Sequence, residues 1–143
     1  MTLDPEIWGP HYWFILHTIA ITYPYTPNEV IKKKYYELYQ NLPLFLPIEE
    51  IGNHFSVLLD MYPVTPYLDS RQSLMRWTHF IHNRVNESLR KPTLSFEEAM
   101  THYYEHYKPK QVKDIIQLKR REKYVFLGFT AVLIGMILYL YHK

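Results

Sequence analysis

The side chains best placed to do chemistry lie between Trp77 and Pro92, in WTHFIHNRVNESLRKP. Leu74, Trp77, Ile81, Val85 and Leu89 recur at i, i+3/i+4 and define one apolar stripe of a helix. His82 and Asn86 stand one turn apart at the edge of that stripe. Lys91-Pro92 closes the segment and leaves a cation at the helix end. Neutral hydrogen-bonding groups beside an apolar wall, with a cation beyond them, suit a flat heteroaromatic ligand that carries phosphates. Periodicity alone favours a plainer account, a core helix whose two polar groups are satisfied by neighbours.

Three other sets of residues invite a chemical reading. His17 shares the apolar side of the first helix with Trp13, Leu16 and Ala20, as either a packed core histidine or a ligand. His102 and His106 stand at i, i+4 and, with His79 and His82, raise the idea of zinc. No HExxH-type pattern accompanies them and their helices need not meet, so no metal site is expected. Glu49 and Glu50 could form a general acid/base pair, but acids are ordinary in the first turn of a helix. The chain has no cysteine, hence no disulfide, no thiolate nucleophile and no Cys-type zinc site.

The residue order carries more than the periodicity does. HNRVN followed by Lys91-Pro92 resembles the flavin-binding helix of the small FAD-linked sulfhydryl oxidases of the augmenter-of-liver-regeneration type. WGPHYWFILHT (8–18) with Tyr23-Pro24 resembles the opening helix of that family. Pro47-Ile48-Glu49-Glu50-Ile51-Gly52-Asn53-His54-Phe55 resembles its active-site segment, and the likeness spans roughly residues 4–107. One departure matters: where the family has a redox-active Cys-x-x-Cys, this chain has Ile48-Glu49-Glu50-Ile51. The resemblance implies FAD as cofactor, with Trp13, His17, His82, Asn83, Val85, Asn86 and Lys91 as its contacts. Asn83 points away from the apolar stripe, so its assignment rests on the resemblance alone. Ile48 and Ile51 mark vacant redox positions, so no catalytic residue is intact. An aliphatic side chain at 51 can pack on a flavin ring but cannot attack it.

These residues need helices to hold them. Asp4-Pro5-Glu6 is a helix start, and the first helix should stop before Pro24. Thr26-Pro27-Asn28-Glu29 has capping-box spacing before a stripe of Ile31, Tyr35, Leu38 and Leu42, with Lys32-Lys33-Lys34 turned to solvent. A third helix should begin near Pro47 and bury Ile48, Ile51, Phe55, Leu58 and Tyr62 on one face. Asp69-Ser70 caps the fourth, and Ser95-Phe96-Glu97-Glu98 opens a short fifth helix to about Tyr107. On it, Tyr103, Tyr104 and Tyr107 cover an adenine or close the core.

Charge and hydropathy divide the chain. Residues 1–107 carry eight Lys/Arg against twelve Asp/Glu, and residues 108–123 seven against two. An acidic body with a basic collar argues against nucleic acid and for a membrane neighbour. Tyr124–Tyr141, 18 residues without a charge, is long enough to cross a bilayer, with tyrosines at both interfaces. A buried core helix is the alternative, and the flanking charges and terminal position weigh against it. The collar lies on its N-terminal side, which keeps the body cytoplasmic, and no signal peptide is apparent. Gly128 and Gly135 do not form a GxxxG pair, so they give little reason for pairing in the membrane.

The expected fold is all-α: an antiparallel four-helix bundle with a short fifth helix, plus a C-terminal transmembrane helix. The expected organisation is an FAD-binding domain over 1–107, a basic juxtamembrane linker over 108–123 and a single span over 124–141. The resemblance implies a flavoprotein of the thiol-oxidase lineage, which forms disulfides with oxygen as acceptor and hydrogen peroxide as product. Without cysteine this chain is redox-inactive, as a pseudoenzyme or as a cysteine-removed variant. Partners implied are the membrane, a second copy in a homodimer, and protein thiols for an active form. Membrane-bound cytoplasmic members look like those of large DNA viruses, which places the chain in a virion or host membrane. The alternative is a non-enzymatic, membrane-tethered scaffold that reuses the bundle.

Overall fold

In the computed structural model, residues 3–142 are described, the side chains of Lys110, Gln111 and Lys113 excepted. The first two residues of the expected 1–107 segment, and Lys143, lie outside them. Among the described residues six α-helices follow one another: α1 (Pro5–Ile21), α2 (Glu29–Asn41), α3 (Glu49–Met61), α4 (Arg71–Ser88), α5 (Phe96–Glu105) and α6 (Lys110–Tyr141). Short 3-10 turns at Leu42–Phe45 and Thr65–Tyr67 flank α3, and no strand occurs among the described residues. The expected all-α architecture is what forms.

Local signals set the helix ends. The Asp4 carboxylate accepts from the Glu6 N–H at 2.9 Å, and Pro5 occupies the first helical position. Ser70 accepts from the Ser73 N–H at 3.2 Å to cap α4, while its neighbour Asp69 instead pairs with Lys32 at 2.8 Å. The Ser95–Glu98 capping box forms in both directions, at 2.8 and 3.2 Å. The α2 cap differs from expectation. Asn28, not Thr26, accepts from the Ile31 N–H at 2.9 Å, because Asn28 directly precedes the first helical residue.

The core lies between α1 and α4, closed by α2, α3 and the two 3-10 turns. Leu16 and Ala20 of α1 meet Leu74, Trp77 and Ile81 of α4 among the buried residues. Each of the leucine and isoleucine side chains contributes about 1.5–3 kcal/mol by leaving water. The α4 stripe is shorter than its spacing predicts: Val85 is half-buried and Leu89, past the helix end, is 58% exposed. On α2 the buried residue is Tyr39 rather than Leu38, since Ile31, Tyr35 and Tyr39 follow an i+4 row and Leu42 joins the core from the 3-10 turn. Gly52 is required by packing: a Cβ there would sit 2.6 Å from the Pro43 carbonyl oxygen, so α3 rides directly on the preceding turn. Tyr12 of α1 donates to the Phe45 carbonyl at 2.7 Å and fixes the other side of that turn.

Compactness divides the chain between Tyr103 and Tyr104. The second unit is dominated by α6, a single helix of 32 residues. The basic segment expected as a linker forms its first turns. Within α6, Asp114–Tyr141 is long and apolar enough to cross a membrane.

Candidate functional site

The site assembles where α1 and α4 run antiparallel. Trp13 and His17, one turn apart on α1, face His82 of α4. The Trp13 and His82 rings stack at 4.1 Å with 9° between their planes. His17 Nε2 and His82 Nδ1 are 3.1 Å apart, a hydrogen bond between two imidazoles. Phe55 of α3 meets Trp13 edge-on at 6.2 Å and brings α3 to the cluster.

Burial sets the protonation of this pair. His17 is held down to about 4, by burial first and by the neighbouring His79 second. His82 is pushed to about 3, again by burial, then by His17 and His79. Both rings are neutral at pH 7, so one donates and the other accepts. His17 Nδ1 is buried and has no hydrogen-bond partner. An orphaned lone pair is cheaper than an orphaned N–H, so His17 Nε2–H donates to His82 Nδ1. His17 is therefore only half satisfied, unlike an ordinary core histidine.

The remaining sequence-named residues divide into two groups. Val85, one turn from His82, packs half-buried against the core. Asn86 supplies its carbonyl to the Lys91 N–H at 2.8 Å, in a helix-ending turn that places Arg90 at φ 55°. Lys91 then reaches back across α1 to Glu6, at 3.5 Å. Asn83 turns elsewhere: its amide bonds the Leu94 backbone and the His79 ring. Spacing did not anticipate His79 as its partner, although 79 and 83 are one turn apart.

Ile48 and Ile51 open α3. Ile48 is the residue before the first helical position, in extended backbone, with no side-chain bond to cap the helix. Both are half-buried, not buried as the apolar stripe predicts, because α3 only reaches full burial at Gly52 and Phe55. Ile51 precedes Phe55 by one turn, so α3 carries it on the side that meets Trp13. Of the tyrosines on α5, Tyr103 closes the core: its hydroxyl is 2.8 Å from Thr18 Oγ1 and its ring stacks on Phe14 at 5.2 Å. No group of three His, Cys, Asp or Glu side chains able to hold a metal occurs among the described residues.

A parallel aromatic pair, a buried ring nitrogen lacking a partner and a lysine just past the end of α4 fit a flat, hydrogen-bonding ring system with an anionic extension. Comparison with known proteins bears on the same segments. Residues 10–114 match the Erv1/Alr family. A probable FAD-linked sulfhydryl oxidase of Acanthamoeba polyphaga mimivirus is 35% identical over 99 residues, covering 68% of this chain and 69% of that protein. A putative FAD-linked sulfhydryl oxidase of Invertebrate iridescent virus 3 is 28% identical, covering 72% and 70%. The crystal structure of the FAD binding domain of Erv1 from Saccharomyces cerevisiae aligns with a TM-score of 0.64 at 26% identity, covering 75% of this chain and 96% of that one.

Proposed function

This chain belongs to the Erv1/Alr family, and from that premise we propose a membrane-anchored FAD-binding protein of the sulfhydryl-oxidase type that lacks its own thiol relay. The observation that carries the reading is the Trp13–His17–His82 cluster, whose orphaned Nδ1 and stacked rings fit a flavin. Trp13, His17, His82 and Val85 would hold the ring system, and Asn86 and Lys91 the polar extension. Bound FAD would supply a two-electron acceptor that oxygen can re-oxidise. The protein's part is to bury one face, exclude water from it and keep both imidazoles neutral.

The electron donor is what the chain withholds. Thiol oxidation needs a thiolate to form a mixed disulfide and a second sulfur to resolve it. Isoleucine at 48 and 51 offers neither, and no cysteine elsewhere substitutes. The half-burial of both positions supports their reading as former or vacated redox sites, since a group that meets another protein's thiol must be reachable. The C-terminal helix anchors the protein, with the basic residues 108–123 and the folded body on the cytoplasmic side of a virion or host membrane.

The visible absorption spectrum of the detergent-solubilised protein tests this, followed by thiol-dependent oxygen uptake. A bound-flavin spectrum without turnover is expected. Ile48→Cys with Ile51→Cys should then bring thiol-dependent oxygen consumption from background to measurable turnover. A colourless protein that takes up no added FAD would leave the membrane-tethered scaffold, which the absence of cysteine also favours.

A further inference from the structure

We propose that Asn83 is a positioning residue: it clamps the backbone at Leu94 onto α4 and so holds Lys91, three residues earlier, in place. The consequence drawn below for FAD rests on the reading above, while the clamp does not.

Asn83 Nδ2 donates to the Leu94 carbonyl at 2.9 Å, and its Oδ1 accepts from the Leu94 N–H at 3.4 Å. A side-chain amide thus pairs with a backbone residue through both of its groups. The second amide hydrogen goes to His79 Nε2, 3.2 Å away. That requires a neutral His79 accepting on Nε2; burial favours the neutral ring, opposed in part by the Leu94 backbone and by Glu97. Of the four hydrogen bonds a carboxamide can make, three are in use, and only one acceptor lone pair remains. Asn83 has no N–H left to offer a cofactor.

The loop needs this clamp. Residues 89–95 are all exposed, so apolar burial contributes little to their order. One end is pinned by the helix-ending turn, where Arg90 N–H meets the Glu87 carbonyl at 3.0 Å and Lys91 N–H meets Asn86 at 2.8 Å. That turn is under strain, since Arg90 adopts a left-handed conformation better suited to glycine. The other end is pinned by Asn83. The Lys91–Glu6 pair at 3.5 Å is half-exposed and worth at most about 1 kcal/mol, too little to order the loop. His79 is itself buttressed by Phe96, edge-on at 5.6 Å, over which Arg76 lies at 4.8 Å.

The test uses the full chain in detergent. Amide hydrogen exchange is measured without FAD for Asn83→Ala, Asn83→Asp and the parent, and FAD is titrated at several salt concentrations into these, Lys91→Gln and the double variant. In Asn83→Ala, exchange at Lys91 and Leu94 should rise about tenfold or more, while amides at Trp77 and Ile81 stay protected. Asn83→Asp, which keeps the acceptor for Leu94 N–H, should fall between. FAD should bind about tenfold more weakly to Asn83→Ala, with the reduced salt dependence of Lys91→Gln, and the double variant should be no weaker than Lys91→Gln alone. Unchanged loop exchange, or additive losses of FAD affinity, would overturn the proposal and make Asn83 a direct contact. If no form binds FAD, the flavin reading falls, and the exchange of the Lys91 and Leu94 amides still decides the clamp.

Discussion

Where α1 ends and α4 begins, Tyr23, Lys32 and Arg71 all find polar partners; further along the same helix pair, a buried nitrogen does not. At the first end, the fully buried Tyr23 donates to the Leu68 carbonyl at 2.7 Å, and Arg71 Nε donates to the Tyr23 carbonyl while its guanidinium covers Tyr25 at 3.6 Å. Lys32 bridges Asp69 at 2.8 Å and Glu29 at 3.0 Å. Further along, from His17 to the turn after α4, lie the His17–His82 pair, an orphaned buried nitrogen and a non-glycine residue in left-handed backbone. Both ends are built on the same two helices, so the difference is not one of fold quality. Unsatisfied groups concentrate where a ligand would complete them.

Acid should separate the two ends most strongly. His17 and His82 have folded values of about 4 and about 3, against an ordinary 6.5. The unfolded chain therefore takes up more protons below pH 6.5. Their contribution is complete above that value and is lost as pH falls through the two folded values. The loss by pH 4 is on the order of 3 kcal/mol or more. Urea unfolding at pH 7, 5 and 4 measures it, and His17→Leu should flatten the dependence. Stability unchanged across that range would mean that the imidazoles are not sequestered. The satisfied end titrates the other way. Lys32 is raised to about 12 by its bonds to Asp69 and Glu29, and Tyr23 is raised by burial, so their contributions hold below pH 10 and fade as pH rises.

The helix starts could be read from residues adjacent in sequence. Asp4-Pro5, Ser70 and the Ser95–Glu98 box act within one turn, where residue type nearly dictates geometry. Failures came where two good local choices competed, as Asn28 displaced Thr26, or where one residue shifts a stripe, as Tyr39 replaced Leu38. The cluster was less legible. Spacing marks His82 and His17 as candidates but does not join them, because the His17–His82 bond links residues 65 apart and needs the α1–α4 register to be known. Nothing local marks Asn83 as a clamp, since its partner is a backbone group eleven residues on. Arg90 in left-handed backbone gave no glycine to signal the turn.

Polar deletions should sharpen the contrast. Tyr23→Phe leaves the buried Leu68 carbonyl without a donor and should cost about 2 kcal/mol in urea unfolding. His17→Leu leaves His82 Nδ1 without its donor but also removes the unpartnered His17 Nδ1, so at pH 7 it should cost less than Tyr23→Phe while abolishing flavin retention in the absorption spectrum. Equal costs at the two ends would dissolve the distinction. A smaller effect of opposite sign is expected at the loop: Arg90→Gly relieves left-handed strain and should raise stability by about 1 kcal/mol, less some unfolded-state entropy.

The smallest expected change is at Ile48. Ile48 precedes α3 in extended backbone, where Ser, Thr, Asp or Asn would normally accept from the first free N–H groups. Its side chain makes no such bond, although Asp4, Asn28 and Ser70 do so for their own helices. An aliphatic group there is an oddity of helix design that a sulfur-bearing residue, as a weak acceptor, would lessen. Ile48→Thr keeps a branched carbon and one methyl while adding an oxygen, so it should stabilise the protein by about 0.5 kcal/mol in thermal or urea unfolding. A gain would mean that the fold does not ask for isoleucine at 48. A loss above about 1 kcal/mol would mean that the half-buried side chain packs in earnest, and that the position has been rebuilt as structure.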